Sequence, residues 1–409
     1  MQKFIVYILI LFSFVMCRKA DDDTQRHDTL MNIKDASLNL STKQVLMSQS
    51  NNAFTFHLLN AIAETQNESF VFSPLSVTMA LGMMAQGGSG TTREEITEVL
   101  GFGDNQDELN HFCLNLLYRG MAADPEVKVS NANVVVARND IVISEEYSSA
   151  VADYYDAKTV SIDINDTQKT VNYINNWVSN HTGGMIPYIL DDATGSVYLV
   201  NALSFEGPWS FPFDSSDIVN KPFYKTDSDS FITSMLSRVD VLRYGKSENA
   251  AMVQLPYGKG VFVMTLIMPD DGISIDEFLL CFNYDSWQEF TNSFRTEKVN
   301  LLFPRFESET AIDLIGIMEK LGIRSAFNVA DFSNMSSDVS FISRMLQKSK
   351  IDVNENGTSA ASSTVAEFKD FAPVPDDSKV YDFIADRPFL FMISDIQTGT
   401  IYFMGCFRG

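Results

Sequence analysis

Residues 355–371 read ENGTSAASSTVAEFKDF, seventeen positions that are too long and too small-sided for a segment that merely connects. Taken with a period of two, Thr358, Ala360, Ser362, Thr364, Ala366 and Phe368 fall on one face, and Ser359, Ala361, Ser363, Val365, Glu367 and Lys369 on the other. Successive strand side chains point to opposite faces, so the run can enter a sheet with small residues against a core and its charges in solvent. Proline, which central strands exclude, is absent until Pro373. At about 3.3 Å per residue, the span from Thr358 to Phe371 would extend over roughly 45 Å as a strand. The run is poor in the β-branched and aromatic side chains of an ordinary buried strand, and taken alone it reads equally as a flexible Ser/Ala linker.

The surrounding chain has 409 residues, enough for one large core or for two or three ordinary domains. Its hydrophobic fraction of 45% and aromatic fraction of 12% are those of a folded protein. Phosphate binding needs clustered Lys and Arg, so with a formal charge of −23 no nucleic-acid partner is expected. Cys17, Cys113, Cys281 and Cys406 are widely spaced with no CxxC pair, and His27, His57, His111 and His181 are scattered. Neither a disulfide framework, a metal site nor a cofactor is legible in that spacing.

At the N-terminus an uncharged apolar run, Phe4–Met16, is too short to span a bilayer and fits a signal-peptide core. Cys17 follows at once, then Arg18-Lys19-Ala20-Asp21-Asp22-Asp23. This arrangement resembles a bacterial lipoprotein signal, although Met16 stands where a small residue is usual. The resemblance implies a signal over 1–17, a lipid anchor on Cys17 and an acidic polar tether over 18–41. The protein would then sit outside the cell, held at the bacterial outer surface, with ordinary secretion as the alternative.

Order is expected to begin near Thr42, with Val45, Phe54, Leu58 and Ile62 on one helical face, and one domain is expected over 42–409. Ser73-Pro74 places proline in the first turn of a helix, where its missing N–H costs nothing. The turn Gly87-Gly88-Ser89-Gly90-Thr91-Thr92 lacks the ending of a phosphate loop and the glycine of a nucleophile elbow. Val127–Ala137 reads as a strand, Gln254–Pro269 as a hairpin around Gly258-Lys259-Gly260, and Thr310–Gly322 as a helix with a stripe of Ile312, Ile315, Met318 and Leu321.

Several of these segments, in this order, resemble the serpin family. The residues that carry the resemblance are Glu355, Gly357, Thr358, Ala360, Ala361 and Thr364 in the hinge and reactive loop, and Ser73-Pro74 with its helix. Tyr173–Val178 with Thr182–Ile186 (Met185 where lysine is usual), Leu199-Val200-Asn201-Ala202-Leu203-Ser204-Phe205-Glu206-Gly207-Pro208-Trp209, and the C-terminal Asp386–Phe391 and Thr398–Gly405 add to it. The resemblance implies a mixed α/β (α+β) serpin fold with three β-sheets, eight or nine helices and an exposed reactive loop over about 355–380.

It also implies a function. A serpin is bait for a target serine protease, which attacks the loop and is trapped as an acyl-enzyme when the cut loop inserts into the central sheet. Counting sixteen positions from the hinge glutamate places the reactive bond between Phe371 and Ala372, suited to a chymotrypsin-like pocket, with Lys369 as the second choice. Ser73, Ser76, Asn201 and Gln347 match the latch beneath the opening strands, with Gln347 where histidine is usual, and Trp209 matches the tryptophan where the loop enters. A glutamine can donate and accept but cannot titrate. Alternatives implied by the same family are a cysteine-protease target and a non-inhibitory carrier; Ser359, where glutamate is usual, keeps the latter open. The expected state is a monomer whose only membrane link is the lipid anchor.

No motif supplies a nucleophile with a base and an orienting acid, so an enzyme is not expected. Asn356-Gly357-Thr358 is an N-glycosylation sequon inside the hinge, with others at Asn39, Asn67, Asn165, Asn180 and Asn334. A glycan on Asn356 would obstruct insertion, which argues against passage through a glycosylating pathway.

Overall fold

Ser73 and Pro74 start the helix at the centre of the molecule. Ser73 accepts from the Ser76 N–H as N-cap, Pro74 occupies the first helical position, and nearly every residue through Gly87 is buried. A helix that is apolar all round belongs inside a large protein. In the computed structural model, residues 42–103, 105–163, 166–193, 195–226, 228–359 and 379–409 are described.

In chain order the α-helices are α1 (Thr42–Ala63), α2 (Pro74–Gly87), α3 (Gly90–Val99), α4 (Gln106–Asn115), α5 (Glu145–Tyr155), α6 (Thr167–His181), α7 (Ile275–Cys281), α8 (Tyr284–Ser293) and α9 (Ile315–Leu321). The strands are β1 (Phe70–Phe72), β2 (Lys128–Arg138), β3 (Ala157–Ile162), β4 (Val197–Pro208), β5 (Ile218–Thr226), β6 (Asp229–Lys246), β7 (Ala250–Pro256) and β8 (Phe262–Pro269). They continue with β9 (Arg295–Pro304), β10 (Phe306–Asp313), β11 (Arg344–Asn354), β12 (Gly357–Thr358), β13 (Val380–Ile384), β14 (Phe389–Asp395) and β15 (Ile401–Phe407).

The expected mixed α/β fold is present, with nine described α-helices. Its strands form one sheet of nine and one of six, the latter in the order β10-β11-β12-β4-β2-β3. The second and third of the expected sheets are fused. The 18-residue β6 pairs with β5 at its start, with β9 over Met235–Tyr244 and with β7 over Arg243–Lys246, so one strand carries hydrogen bonding from one layer into the next. Strands β14 and β15 are buried throughout and, up to Ser394 and Asp395 at the end of β14, are written as apolar runs, as a strand covered on both faces requires. A second, smaller core lies under α6, where Ile174, Val178 and Ile186 meet Val134, Val136, Tyr198 and Val200 of the six-stranded sheet.

Two local expectations are corrected. Val45 is 42% exposed, whereas Phe54, Leu58 and Ile62 are buried. The inward face of the start of α1 is partly polar: Ser48 Oγ donates to Thr398 O at 3.0 Å and Asn52 Nδ2 to Gly399 O at 2.7 Å, a face that apolar periodicity cannot register. Ile312 belongs to β10 and not to a helix, because Phe306–Asp313 alternates buried and exposed at every step, and α9 begins only at Ile315.

Candidate functional site

The six-stranded sheet contains a parallel seam. Strands β4 and β11 pair directly at one end, Arg344 with Tyr198 through Lys348 with Ala202. At the other end they are separated by β12, which runs antiparallel to both: Thr358 lies opposite Val353 and Gly207, and Gly357 opposite Asn354 and Pro208. Two residues of the hinge, Gly357 and Thr358, are therefore already a strand of the sheet.

Local chemistry explains how the hinge is held. Gly357 has φ +151°, and a Cβ there would stand 2.1 Å from Gly207 O and 2.7 Å from Pro208 Cα, so only glycine fits. Thr358 is fully buried and its hydroxyl bonds to that of Tyr257, whose burial keeps it protonated far above the ordinary phenol range. Trp209 stacks on Tyr257 with ring centroids 4.4 Å apart. Its indole N–H donates to Asn354 O at 2.8 Å and its main-chain N–H to Asn356 O at 2.9 Å. The Phe213 N–H reaches Glu355 O at 2.9 Å, and Arg305 holds the Glu355 carboxylate at 2.6 Å. Ser359, at φ +52°, turns the chain back with its N–H on Asp352 O at 2.5 Å.

At the closed end Gln347 grips the N-cap of α2 from across the seam. Its Nε2 donates to Ser73 O at 2.7 Å and its Oε1 accepts from the Ser73 N–H at 3.2 Å. Asn201 is the register partner of Gln347, but its Nδ2 turns to Asn133 Oδ1 on β2. Among the described residues the Ser76 hydroxyl has no hydrogen-bond partner. The structure thus brings Ser73 and Gln347 together directly and places Ser76 and Asn201 around them. On the opposite face of β11, Lys348 is buried, paired with Glu309 at 2.6 Å and lying over the Tyr188 ring, 3.4 Å from its centroid.

Ala360, Ala361, Thr364, Lys369, Phe371 and Ala372 lie outside the described residues, as do Cys17 and the segments 1–17 and 18–41. Tyr257, Phe213, Arg305 and Asn133 were not singled out from the sequence. Tyr257 falls inside the expected hairpin Gln254–Pro269, and its proximity to a tryptophan 48 positions earlier leaves no local pattern. Among the described residues Cys113, Cys281 and Cys406 are free, no group of three or more metal-binding side chains occurs, and no helix is long and apolar enough to cross a membrane.

Comparison with known proteins agrees with this architecture. A family model described as Serpin (serine protease inhibitor) matches residues 49–408. An uncharacterized serpin-like protein of Methanosarcina acetivorans is 28% identical over 368 residues, covering 88% of this chain and 87% of its own length. Serpin B10 of Sorex araneus is 30% identical, covering 88% of this chain and 98% of its own. The crystal structure of a thermophilic serpin, Tengpin, in the native state superposes with a TM-score of 0.81 at 26% identity, over 91% of this chain and 96% of that one. With the hinge seated in a parallel seam and a family match that runs from α1 to the residue before the last, this chain belongs to the serpin family.

Proposed function

We propose that this serpin is a suicide-substrate inhibitor of serine proteases, chymotrypsin-like enzymes above all, which traps the acyl-enzyme by inserting its cut loop between β4 and β11. The observation that carries this reading is β12: Gly357 and Thr358 occupy the seam in the orientation that the rest of the loop would follow. A strand entering between two parallel neighbours lies antiparallel to both, so full insertion replaces one slanted parallel ladder by two antiparallel ones, the more stable pairing per residue. The small side chains of Ala360, Ser362 and Thr364 suit a buried course behind Thr358. The chain is bait and not an enzyme, with Phe371 presented to the protease and Ala372 leaving. Anchorage through Cys17 at a bacterial outer surface belongs to the same proposal; palmitate labelling that disappears in Cys17→Ser would support it.

The test is to mix the protein with chymotrypsin and with trypsin, then examine denaturing gels and intact masses. The expected result is a complex that survives denaturant, with a released peptide beginning at Ala372. Cleavage by both enzymes with no such complex, and with no rise in the unfolding temperature of the cleaved protein, would overturn inhibition in favour of a carrier role.

A further inference from the structure

The link between β11 and β12 is the two-residue turn Glu355-Asn356, and Asn356-Gly357 is the only Asn-Gly pair in the 409 residues. An asparagine before glycine is open to attack by its own main chain, because no Cβ shields the next amide nitrogen. Asn356 is half-buried and lines a cavity of about 600 Å³ together with Arg305, Glu307, Asp352 and Ser359, which gives water a route to it. Among the described residues its carboxamide makes no hydrogen bond, so neither its carbonyl nor its amino group is tied up.

The main chain around that carboxamide is held instead. The Asn356 N–H donates to Asn354 Oδ1 at 2.9 Å, and the Asn356 main-chain carbonyl accepts from the Trp209 N–H at 2.9 Å. Gly357 follows within β12, paired on both sides. For the Gly357 nitrogen to reach the Asn356 side-chain carbon in a near-attack arrangement, this hinge has to loosen. The rate of attack then follows the fraction of time that β12 spends out of the sheet.

We propose that Asn356 is a self-modification site: it deamidates through attack by Gly357, and its isoaspartyl product dissolves β12. The Gly357 amide gives up its proton to water and its nitrogen bonds to Asn356 Cγ, while the Cγ–Nδ2 bond breaks and ammonia leaves. Water then opens the cyclic imide at either carbonyl, returning aspartate or isoaspartate. Isoaspartate routes the main chain through Cβ and so lengthens the turn by one C–C bond, about 1.5 Å. Turn length sets hairpin register, and Gly357 sits too close to Gly207 and Pro208 to accept even a Cβ, so the lengthened turn cannot keep both pairings. The reaction needs water and no protease, so it does not rest on inhibition.

The experiment ages the intact protein in mildly alkaline buffer beside a free peptide of residues 352–359. Peptide mapping with electron-transfer fragmentation distinguishes asparagine, aspartate and isoaspartate at position 356, and amide exchange at Thr358 reports on β12. The expected result is conversion at Asn356 ahead of every other asparagine, at about a tenth of the free peptide's rate. Trp209→Phe, which loosens the hinge by one hydrogen bond, should speed conversion about fivefold. If Trp209→Phe does not fold, denaturant below the unfolding transition loosens the hinge of the wild type and should speed it likewise. Thr358 protection should be lost in the isoaspartyl fraction and kept in Asn356→Asp, which has the product's charge without the longer main chain. Conversion at Asn356 no faster than at other asparagines, no acceleration when the hinge is loosened, an isoaspartyl protein with Thr358 still protected, or equal loss of protection in Asn356→Asp would overturn the proposal. The protease experiment uses fresh protein, so the two stand or fall separately.

Discussion

At one end the seam between β4 and β11 is closed by five consecutive residue pairs, Arg344 with Tyr198 through Lys348 with Ala202, while at the other end the same two strands are held apart by Gly357 and Thr358. The closed end is secured by a side chain, Gln347, reaching the main chain of a buried helix. The open end is secured by main chain and rings, with Trp209 and Tyr257 supporting a glycine that no other residue can replace. The difference teaches that the two ends resist different events. The open end governs whether the hinge stays in, and the closed end governs how far the sheet can part.

Substitutions can separate those roles. Gly357→Val should have the largest effect, because its side chain would overlap Gly207 O and Pro208 Cα. It is expected to expel the hinge and lower the unfolding free energy by about 3 kcal/mol. Limited proteolysis and amide exchange at Thr358 would show the loss, and an unchanged Thr358 protection would mean that the hinge is held by something other than this fit. Gln347→Leu comes next: it leaves the Ser73 N–H without a partner and the Ser73 C=O with the Val77 N–H alone, at roughly 2 kcal/mol in total. Denaturant unfolding should register that loss, with the hinge still protected; if the hinge is released as well, the two ends are one cooperative unit. Gln347→His adds a titratable latch. Burial should lower the folded-state pKa of that histidine below its unfolded value, so stability present above pH ~6.5 is lost as the pH falls, a step that the wild-type glutamine lacks.

Trp209→Phe retains most of the ring but removes the indole N–H from Asn354 O, and about 1 kcal/mol of stability should go with it. The hinge should exchange faster while the Gln347 latch stays intact. Arg305→Met is expected to do least, at most ~1 kcal/mol, because both partners of the Arg305–Glu355 pair are partly solvated. The effect should shrink further in high salt, and a salt-independent loss would show that Arg305 acts through packing instead.

Much of this was legible in sequence where the signal is local. Ser73-Pro74 declares a helix start within two residues, the strand expected over Val127–Ala137 forms as Lys128–Arg138, and Thr358, where the period-two pattern begins, lies in the sheet. What stayed hidden depends on partners far apart in the chain. Nothing near Asn201 says that its amide turns to Asn133 instead of Gln347, and nothing near Thr358 names Tyr257. The start of α1 misled for a related reason: its buried face is built from Ser48, Asn51 and Asn52, whose burial is made tolerable by acceptors and donors elsewhere, so hydropathy points to Val45 instead. The alternation of Phe306–Asp313 was present in the letters, but Ile312 also fits a helical spacing, and a short apolar stripe does not choose between the two periods.

Two strands held apart inside a folded protein present to each other the kind of unpaired edge that recruits any extended peptide, including one from a neighbouring molecule. Gly357 and Thr358 cover that edge at its open end, and the covering segment is tethered, so its effective concentration exceeds that of a free competitor. The short strand β12 is therefore also a stopper: at rest it guards the molecule against strand addition by other chains, through the same backbone contacts that would guide its own loop inward.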